Sequence, residues 1–299
     1  MTTIQSVNRK KSFKRTNIIA WIMVLPALIL SIFIMGGPIV GTALLSLTDW
    51  DGITTPHFVA FDNFKTLITD STFRWAVLNN IKWMVYFLIV PIILSLVVAV
   101  VLSHITKGRM FFRTAFFIPY IVSTVVLSKI WSLIYSPIYG VPHVLEQMGF
   151  KNVLLPLSNT KIALFSVAFV DAWRYWGFLM VLFLTALQQT DKSLEEAGII
   201  DGANRVQIFF HITIPQIRPV LSMMLMLTAI WSFTTFDFVY LMTNGGPGNS
   251  TEIISTYMYR LTMQNQMPGY ASAISLVMVV FSMVFMGAFS ILRKRGWDV

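Results

Sequence analysis

The 299 residues are 56% hydrophobic and only 12% charged, with a mean hydropathy of +0.71, which excludes an ordinary soluble domain and places the chain in a lipid bilayer. Cysteines are absent, so disulfides and Cys-based zinc or redox sites are excluded, and the four histidines are too far apart in sequence to predict a metal site. The net charge of +9 does not predict nucleic-acid binding, because most of the basic residues sit beside apolar runs, where they set orientation in the membrane.

Six charge-poor segments are long enough to cross a bilayer, which takes about 20 mainly apolar residues of helix. They predict an all-α membrane protein with six transmembrane helices and no soluble domain larger than a loop. In chain order the segments lie within Ile18 to Leu47 and at about Trp83 to Ser103, Thr114 to Tyr135, Ile162 to Leu187, Val220 to Met242 and Tyr270 to Leu292.

The first segment follows a basic stretch, Arg9 to Arg15, and could be mistaken for a signal peptide. Its uncharged run continues from Thr16 to Thr48 without an obvious small-residue cleavage site, which favours an uncleaved span. Gly36-Gly37-Pro38 is predicted to kink or break this span, because proline cannot donate a backbone hydrogen bond.

Basic residues in the short loops predict the orientation, because cytoplasmic loops carry an excess of Lys and Arg. Two basic ends favour an even number of crossings with both termini in the cytoplasm. Residues 18–292 are then the transmembrane domain. The predicted inner segments are the tail 1–17, the loop with Lys107, Arg109 and Arg113, the loop 188–218 and the tail 293–299.

Three outer segments, roughly 48–75, 136–161 and 243–269, are rich in residues that favour turns. Examples are Asp49-Trp50-Asp51-Gly52 and Asn244-Gly245-Gly246-Pro247-Gly248. This composition predicts ordered caps on the helix bundle and not flexible linkers.

Motifs of common enzyme classes are missing from the sequence. It contains no Gly-x-x-x-x-Gly-Lys-Ser/Thr loop for ATP phosphates, no Gly-x-Ser-x-Gly elbow and no His-Glu-x-x-His helix. The chain is therefore expected to have no catalytic residues, no metal and no cofactor of its own. If it pumps, ATP and Mg²⁺ are bound by a partner subunit.

The longest inner loop carries the most specific pattern in the chain. Ser193 followed by Glu196 has the spacing of a capping box and predicts a short helix. Gly202 permits a tight turn, and a second short amphipathic helix with Phe209 on its apolar side is predicted to end at Pro215. Such a helix-turn-helix is suited to insertion into a partner's groove.

This loop resembles the signature of the inner-membrane permeases of binding-protein-dependent ABC importers: Glu-Ala-Ala, three residues, Gly, nine residues, Ile-x-Leu-Pro. Glu196-Ala197-Gly198, Gly202 and Ile212-Thr213-Ile214-Pro215 keep every spacing, with Gly198 in place of the second Ala and Ile214 in place of Leu. The resemblance implies the type I ABC importer (MetI-like) fold and coupling helices that dock onto a separate ABC ATPase dimer. The expected coupling residues are Glu195, Glu196, Ala197, Gly198, Asp201, Gly202, Phe209 and Pro215.

A second resemblance concerns Thr243 to Thr251, with Gly269 to Ala273 beyond it, which look like the outer loop of maltose-type permeases of the carbohydrate-uptake subfamily. The segments Phe61 to Phe64 and Arg113 to Tyr120 also resemble sequences of this family. The resemblance implies a bacterial cytoplasmic-membrane protein that imports a di- or oligosaccharide and pairs with a second, non-identical permease. An extracellular or periplasmic solute-binding protein is expected to contact Asn244, Gly245, Gly246 and Pro247.

Charged side chains inside a span are costly and usually face a cavity or a partner. Because sugars present apolar C–H faces and hydroxyl rims, aromatic side chains beside hydrogen-bonding groups are expected to form the pathway. Two alternative roles for these residues stay open: an Asp171–Arg174 ion pair within one helix, and an interfacial belt of Trp and Tyr. The expected pathway residues are Lys129, Trp131, Asp171, Trp173, Arg174, Trp231, Thr234, Thr235, Phe236, Asp237 and Tyr240.

Two other functions fit parts of the sequence. An ion-gradient-driven secondary transporter would use Asp171 and Asp237 as proton or sodium sites, but it has no need of an ATPase-docking loop. A non-transporting membrane scaffold or receptor would show no substrate-dependent ATP hydrolysis in any reconstituted complex.

Overall fold

The computed structural model describes residues 20–294, and that part of the chain is helical apart from loops and one isolated bridge between Thr48 and Phe58. The predicted tail 1–17 and residues 295–299 lie outside the described residues. The helices are α1 (Ala20–Leu45), α2 (Asp62–Thr69), α3 (Ser71–His104), α4 (Arg109–Ile121), α5 (Thr124–Ile134), α6 (Val141–Gln147), α7 (Ala163–Leu187), α8 (Lys192–Ile200), α9 (Arg205–Thr234), α10 (Asp237–Met242), α11 (Ile254–Met263) and α12 (Pro268–Lys294).

Five of the described helices, α1, α3, α7, α9 and α12, are long and apolar enough to cross a membrane. The pair α4 and α5 passes the same test together, and counting this pair as one crossing gives six. The predicted all-α membrane fold is confirmed.

The third predicted span is not one continuous helix. α4 and α5 meet at an angle of 93°, because Val122 and Ser123 adopt extended backbone between them. Pro119 lies just before this bend and lacks the N–H group that would continue the helical hydrogen bonding. The prediction of an unbroken helix from Thr114 to Tyr135 was therefore wrong.

The second span begins earlier than predicted, at Ser71, because Asp70 caps α3. Its Oδ1 accepts the backbone N–H groups of Thr72 and Phe73 at 2.8 and 3.1 Å, and its Oδ2 accepts the hydroxyls of Tyr257 and Tyr270 at 2.6 and 2.8 Å. Burial raises the pKa of the Asp70 carboxyl, but these hydrogen bonds outweigh it and hold the pKa below its ordinary value.

Proline does not end the helix after the inner loop, which corrects a second prediction. α9 runs from Arg205 to Thr234 through a π-helical turn, Phe209–Thr213, and Pro215 falls in the first turn of the α-helical segment that follows. A first-turn proline needs no N–H donor, so the helix continues past it. α1 likewise continues through a π-helical turn, Ile32–Gly36, just before Gly37-Pro38.

α7 is the centre of the bundle. It packs against α3, α4, α9 and α10, and its side chains Val167, Leu179, Met180 and Phe183 are completely buried. α1 is the opposite case, since none of its apolar window is buried by the rest of the chain. The core therefore forms around α7, and α1 lies on the outside of the bundle against α12.

Candidate functional site

A break between α9 and α10 interrupts the fifth predicted span. α9 ends at Thr234, Thr235 turns to extended backbone, and α10 begins at Asp237. Threonine is a poor helix former, because its branched side chain is restricted and its hydroxyl competes for backbone carbonyls. The Thr234 hydroxyl does so here, donating to the carbonyl of Trp231 at 3.2 Å. Irregular backbone at membrane depth is tolerated where it lines a cavity.

Such a cavity is present, with a volume of about 270 Å³. This is close to the lower end of the range of small-molecule sites, roughly 300–1,000 Å³. Its wall combines aromatic rings, hydroxyl groups and charges from α3, α5, α7, α9 and α10. The lining residues are Trp83, Phe87, Thr124, Asp171, Arg174, Tyr175, Thr228, Trp231, Ser232, Thr234, Thr235, Phe236, Asp237 and Phe238.

The aromatic part of the wall is held by ring contacts between helices. Tyr175 of α7 lies 5.1 Å from Trp231 of α9 and 6.0 Å from Phe87 of α3, measured between ring centroids. Trp83 stacks on Phe87 at 5.4 Å, and the Tyr175 and Thr228 hydroxyls are 3.3 Å apart. Trp231 keeps 46% of its surface exposed, so one ring of this wall is free to contact a solute.

The charges in the cavity are not equally available. Arg174 donates to Asp171 Oδ1 from two nitrogens, at 2.9 and 3.2 Å, and its guanidinium lies over the rings of Tyr120 and Phe238 at 5.3 and 5.6 Å. The prediction that Asp171 and Arg174 could neutralise each other is confirmed. The Asp237 carboxylate is exposed, and no hydrogen bond or ion pair to it is found among the described residues.

The cavity gathers most of the predicted pathway residues but not all of them. Asp171, Arg174, Trp231, Thr234, Thr235, Phe236 and Asp237 line it. Outside the lining are Lys129, which is exposed on α5, Trp131 and Trp173, which pack together at 5.5 Å, and Tyr240, which stacks on Phe236 at 5.0 Å. Sequence reasoning missed Trp83, Phe87, Thr124, Thr228, Ser232 and Phe238. These six side chains are uncharged, and nothing in the sequence distinguished them from other residues of their spans.

The loop that contains Gly-Gly-Pro, residues 243–253, is folded around a buried carboxylate. Glu252 is 1% exposed, pairs with Arg260 at 2.9 Å and accepts the Thr256 hydroxyl at 2.7 Å. Burial raises the pKa of Glu252, and the Thr256 and Arg260 contacts offset only part of this effect. Gly245 has a φ of +83°, and any side chain there would collide with the Glu252 carboxylate.

This loop presents only part of the surface that the sequence singled out for a binding protein. Asn244 is exposed, Gly246 and Pro247 are half-buried, and Gly245 is buried against Glu252. Gly248 and Asn249 beside them are exposed as well. In this structure the glycines shape the loop, and the neighbouring asparagines offer its polar groups.

The other predicted functional segment is an elbow made of α8, the turn at Gly202 and the first turns of α9, residues 191–215. The cap of α8 is Asp191 and not Ser193, because the Asp191 carboxylate accepts the Ser193 backbone N–H at 2.9 Å and its hydroxyl at 2.8 Å. These two bonds, led by the hydroxyl, lower the pKa of Asp191. An aspartate two residues earlier satisfies a first-turn N–H group, which removes the need for the predicted capping box.

The turn of the elbow follows from Gly202, whose φ of +82° suits glycine. The Gly202 N–H donates to Ile199 and the Ala203 N–H to Gly198, which is the Schellman pattern of a helix end. Glu195 accepts the Thr213 hydroxyl at 3.0 Å, and this bond ties α8 to α9. Most of the predicted coupling residues are exposed on this elbow: Glu196, Ala197, Asp201, Gly202 and Pro215. Glu195 and Phe209 are half-buried, and Gly198 is buried.

Apolar side chains of the elbow are also uncovered by the rest of the chain. Ile199 and Ile200 are 63% and 85% exposed, and Leu194, Val206 and Phe210 are at least half exposed. An exposed apolar patch of this kind marks a contact surface for another molecule.

Comparison with known proteins matches most of this chain to one family. The model of the family described as the binding-protein-dependent transport system inner membrane component matches residues 91–297. The probable ABC transporter permease protein YurN of Bacillus subtilis is 32% identical over 90% of this chain and 94% of that protein. The multiple sugar-binding transport system permease protein MsmF of Streptococcus mutans is 30% identical over 87% of this chain and 90% of its own length.

The fold is also similar to a solved structure. A chain of a bacterial alginate ABC transporter, crystallised in complex with an alginate pentasaccharide-bound periplasmic protein, superposes with a TM-score of 0.84 over 97% of this chain and 98% of that chain. The two sequences are 22% identical, so this likeness concerns the fold.

Proposed function

The chain belongs to the family of binding-protein-dependent transport system inner membrane components, and on this premise we propose that its cavity is the sugar-contact site of a carbohydrate importer. The chain is a multi-pass membrane permease of an ABC importer. It is a transport subunit and not an enzyme, because the ATPase of such an importer is a separate subunit.

The observation that carries the sugar assignment is the composition of the cavity wall at the break between α9 and α10. Exposed Trp231 offers an aromatic face for the C–H side of a pyranose ring. The hydroxyl oxygens of Thr234 and Ser232, whose hydrogens are donated to backbone carbonyls, and the free Asp237 carboxylate offer acceptors for the hydroxyl groups of a sugar. The name of the Streptococcus mutans relative, a multiple sugar-binding transport system permease, supports the same substrate class.

The two other surfaces fit the partners of such an importer. The elbow, with its exposed Ile199, Ile200 and Phe210, would dock onto an ABC ATPase dimer that holds ATP and Mg²⁺. The loop 243–253 would contact a solute-binding protein on the opposite side of the membrane. In this proposal both termini lie in the cytoplasm, as the basic residues predict, and a second, non-identical permease would close the exposed side of the cavity.

The ion-gradient alternative has less support. Asp171, one of its two candidate ion sites, already holds Arg174 in a two-nitrogen contact and has no free charge to offer a proton or sodium ion.

The proposal is tested with the intact complex, purified through a tag on this chain and reconstituted in proteoliposomes. ATP hydrolysis is measured with maltose, cellobiose, trehalose and a uronate disaccharide, each presented with the binding protein that the complex recruits. We expect at least one neutral sugar to stimulate hydrolysis, and Trp231→Ala to reduce that stimulation while the complex still assembles. Trp75→Ala is the control, because Trp75 is an exposed tryptophan of α3 outside the cavity. Sugar uptake that continues without ATP but stops when the proton gradient is removed would instead support a secondary transporter.

A further inference from the structure

Two adjacent asparagines near the start of α3 are buried, with 2% exposure for Asn79 and 0% for Asn80. An amide in such a place must find hydrogen-bond partners, because burying an unsatisfied one is costly. Asn79 uses its Nδ2 for the loop 243–253 alone, donating to the carbonyls of Ser250 and Glu252 at 3.1 and 2.9 Å.

Asn80 joins two different parts of the molecule. Its Oδ1 accepts the backbone N–H of Ile254, the first residue of α11, at 2.8 Å. Its Nδ2 donates to the carbonyl of Ser232, on the cavity wall, at 2.9 Å. One side-chain amide therefore bridges the end of the loop 243–253 and the last turn of α9.

A second bond strengthens the connection between the same two elements. The Ser255 hydroxyl donates to the carbonyl of Thr235, which lies in the break between α9 and α10. The first two residues of α11 are thus linked to the cavity wall at two points, Ile254 through the Asn80 side chain and Ser255 directly. Glu252, Thr256 and Arg260 connect the loop 243–253 to α11, so loop and helix form one unit.

We infer that Asn80 is a positioning residue that transmits displacements of the loop 243–253 to the cavity wall at Ser232. When the loop and α11 move, Ile254 pulls on the Asn80 amide, and the amide carries the carbonyl of Ser232 with it. This inference rests on the proposed function, in which the loop meets the binding protein and the cavity meets the sugar. It supplies a physical connection by which docking on the outside changes the site.

The test uses the absence of cysteine from the chain, so that one introduced thiol on this chain reports one position. Ser232→Cys places that thiol on the cavity wall, and its reaction rate with N-ethylmaleimide in the purified complex is followed by the mass of this chain. Glu252→Gln disturbs the loop while keeping side-chain size, because it removes the negative charge that pairs with Arg260. We expect Glu252→Gln to change the labelling rate at residue 232 about fivefold.

The same measurement is then repeated in two matched backgrounds. With Asn80→Leu, Glu252→Gln should change the rate by less than about twofold, because the bridge to the Ser232 carbonyl is gone and the remaining bond from Ser255 reaches only Thr235. With Asn79→Leu, an equal change at the adjacent buried position, the fivefold effect should remain. Asn80→Ser and Asn79→Ser replace this pair if a leucine variant does not assemble, since serine is too short to reach both partners of Asn80.

Three results would overturn the inference: no effect of Glu252→Gln on residue 232, an unchanged effect in the Asn80 variants, or an equal loss of the effect in the Asn79 variants. The last result would mean that both asparagines only hold the bundle together. Because this labelling uses no sugar, a failure of the sugar panel refutes the proposed function separately.

Discussion

Gly177 of α7 faces the backbone of Phe116 on α4 so closely that a methyl group at residue 177 would overlap the Phe116 carbonyl oxygen. Backbone cannot move aside as a flexible side chain can, so Gly177→Ala should force α4 away from α7. We expect a loss of about 1–3 kcal/mol or more in stability, seen as a lower melting temperature and a lower yield of the complex. Gly287→Ala on α12 is the control, because nothing lies within 4 Å of that position. Equal behaviour of the two variants would contradict the close approach.

The Asp171–Arg174 pair predicts strongly non-additive variants. Asp171→Asn leaves the largely buried Arg174 guanidinium without its carboxylate partner. Removing one partner of a buried ion pair lowers the free energy of unfolding by about 3–5 kcal/mol. The double variant Asp171→Asn with Arg174→Gln should be more stable than the single one, because it leaves no unpaired charge. Thermal unfolding of the four proteins of this cycle measures the coupling. Additive losses would mean that the pair contributes nothing as a pair.

Asp237 gives the cavity one free negative charge, since the charges of Asp171 and Arg174 cancel. The complex should therefore respond to a neutral disaccharide about tenfold better than to a uronate disaccharide of the same linkage. Asp237→Asn should remove most of that preference, measured as the sugar concentration that gives half-maximal ATP hydrolysis. Asp62→Asn, which changes an exposed carboxylate of α2 paired with Lys65, should leave the preference intact. A preference that survives Asp237→Asn has another source.

The elbow should be sensitive at Gly202 for a conformational reason. Its φ of +82° penalises any residue with a Cβ, by roughly 1–2 kcal/mol, so Gly202→Val should distort the turn between α8 and α9. We expect sugar-stimulated ATP hydrolysis to be lost, while the chain still inserts into the membrane. Gly149→Val is a matched control, because Gly149 also has a positive φ, +91°, and open space around it, but lies in the loop after α6.

Glu196 is exposed on the same elbow and gives a second test of this surface. Glu196→Lys should reduce sugar-stimulated ATP hydrolysis, while the chain still inserts into the membrane.

The cap at Asp70 predicts a pH dependence of stability. Because the folded state lowers its pKa, this carboxylate stabilises the fold fully above its ordinary pKa, and the stabilisation is lost as the pH falls through the lowered value. Asp70→Ala should cost about 1 kcal/mol at neutral pH from the lost cap alone. The difference in melting temperature between wild type and Asp70→Ala should shrink on acidification. A difference that stays constant as the pH falls below the ordinary pKa of aspartate would contradict the assigned role.

Hydropathy and spacing were sufficient for the main features of the fold and the elbow. Long apolar runs are a strong signal, which is why Ala163–Leu187 was predicted almost to the residue. The positive-φ turn at Gly202 could be anticipated, since few residues other than glycine fit it. The continuation of α9 past Pro215 could not be predicted, because it depends on a π-helical turn, and no local sequence pattern indicates such a turn.

The cavity was predictable at its charged residues, which violate the rules of a membrane span, and at aromatic and hydroxyl residues beside them in the sequence, such as Trp231 and Thr234. Asp171, Arg174 and Asp237 drew attention because charges there are costly. Trp83 and Thr228 break no such rule, and only the packing of α3, α7 and α9 brings them together. The role of Asn80 could not be predicted for a similar reason. Its two hydrogen-bond partners, Ser232 and Ile254, are distant in the sequence, and only the tertiary fold brings them to Asn80.

The exposed rim formed by Trp231, Thr234 and Asp237 has a consequence for how specificity can change. In the proposed pairing with a second, non-identical permease, this polypeptide provides half of the chamber, and a cargo held there also contacts a chain encoded by another gene. A switch of cargo is then a matter of paired substitutions in two chains, and a single-chain swap between related systems would join two halves that have not been selected together.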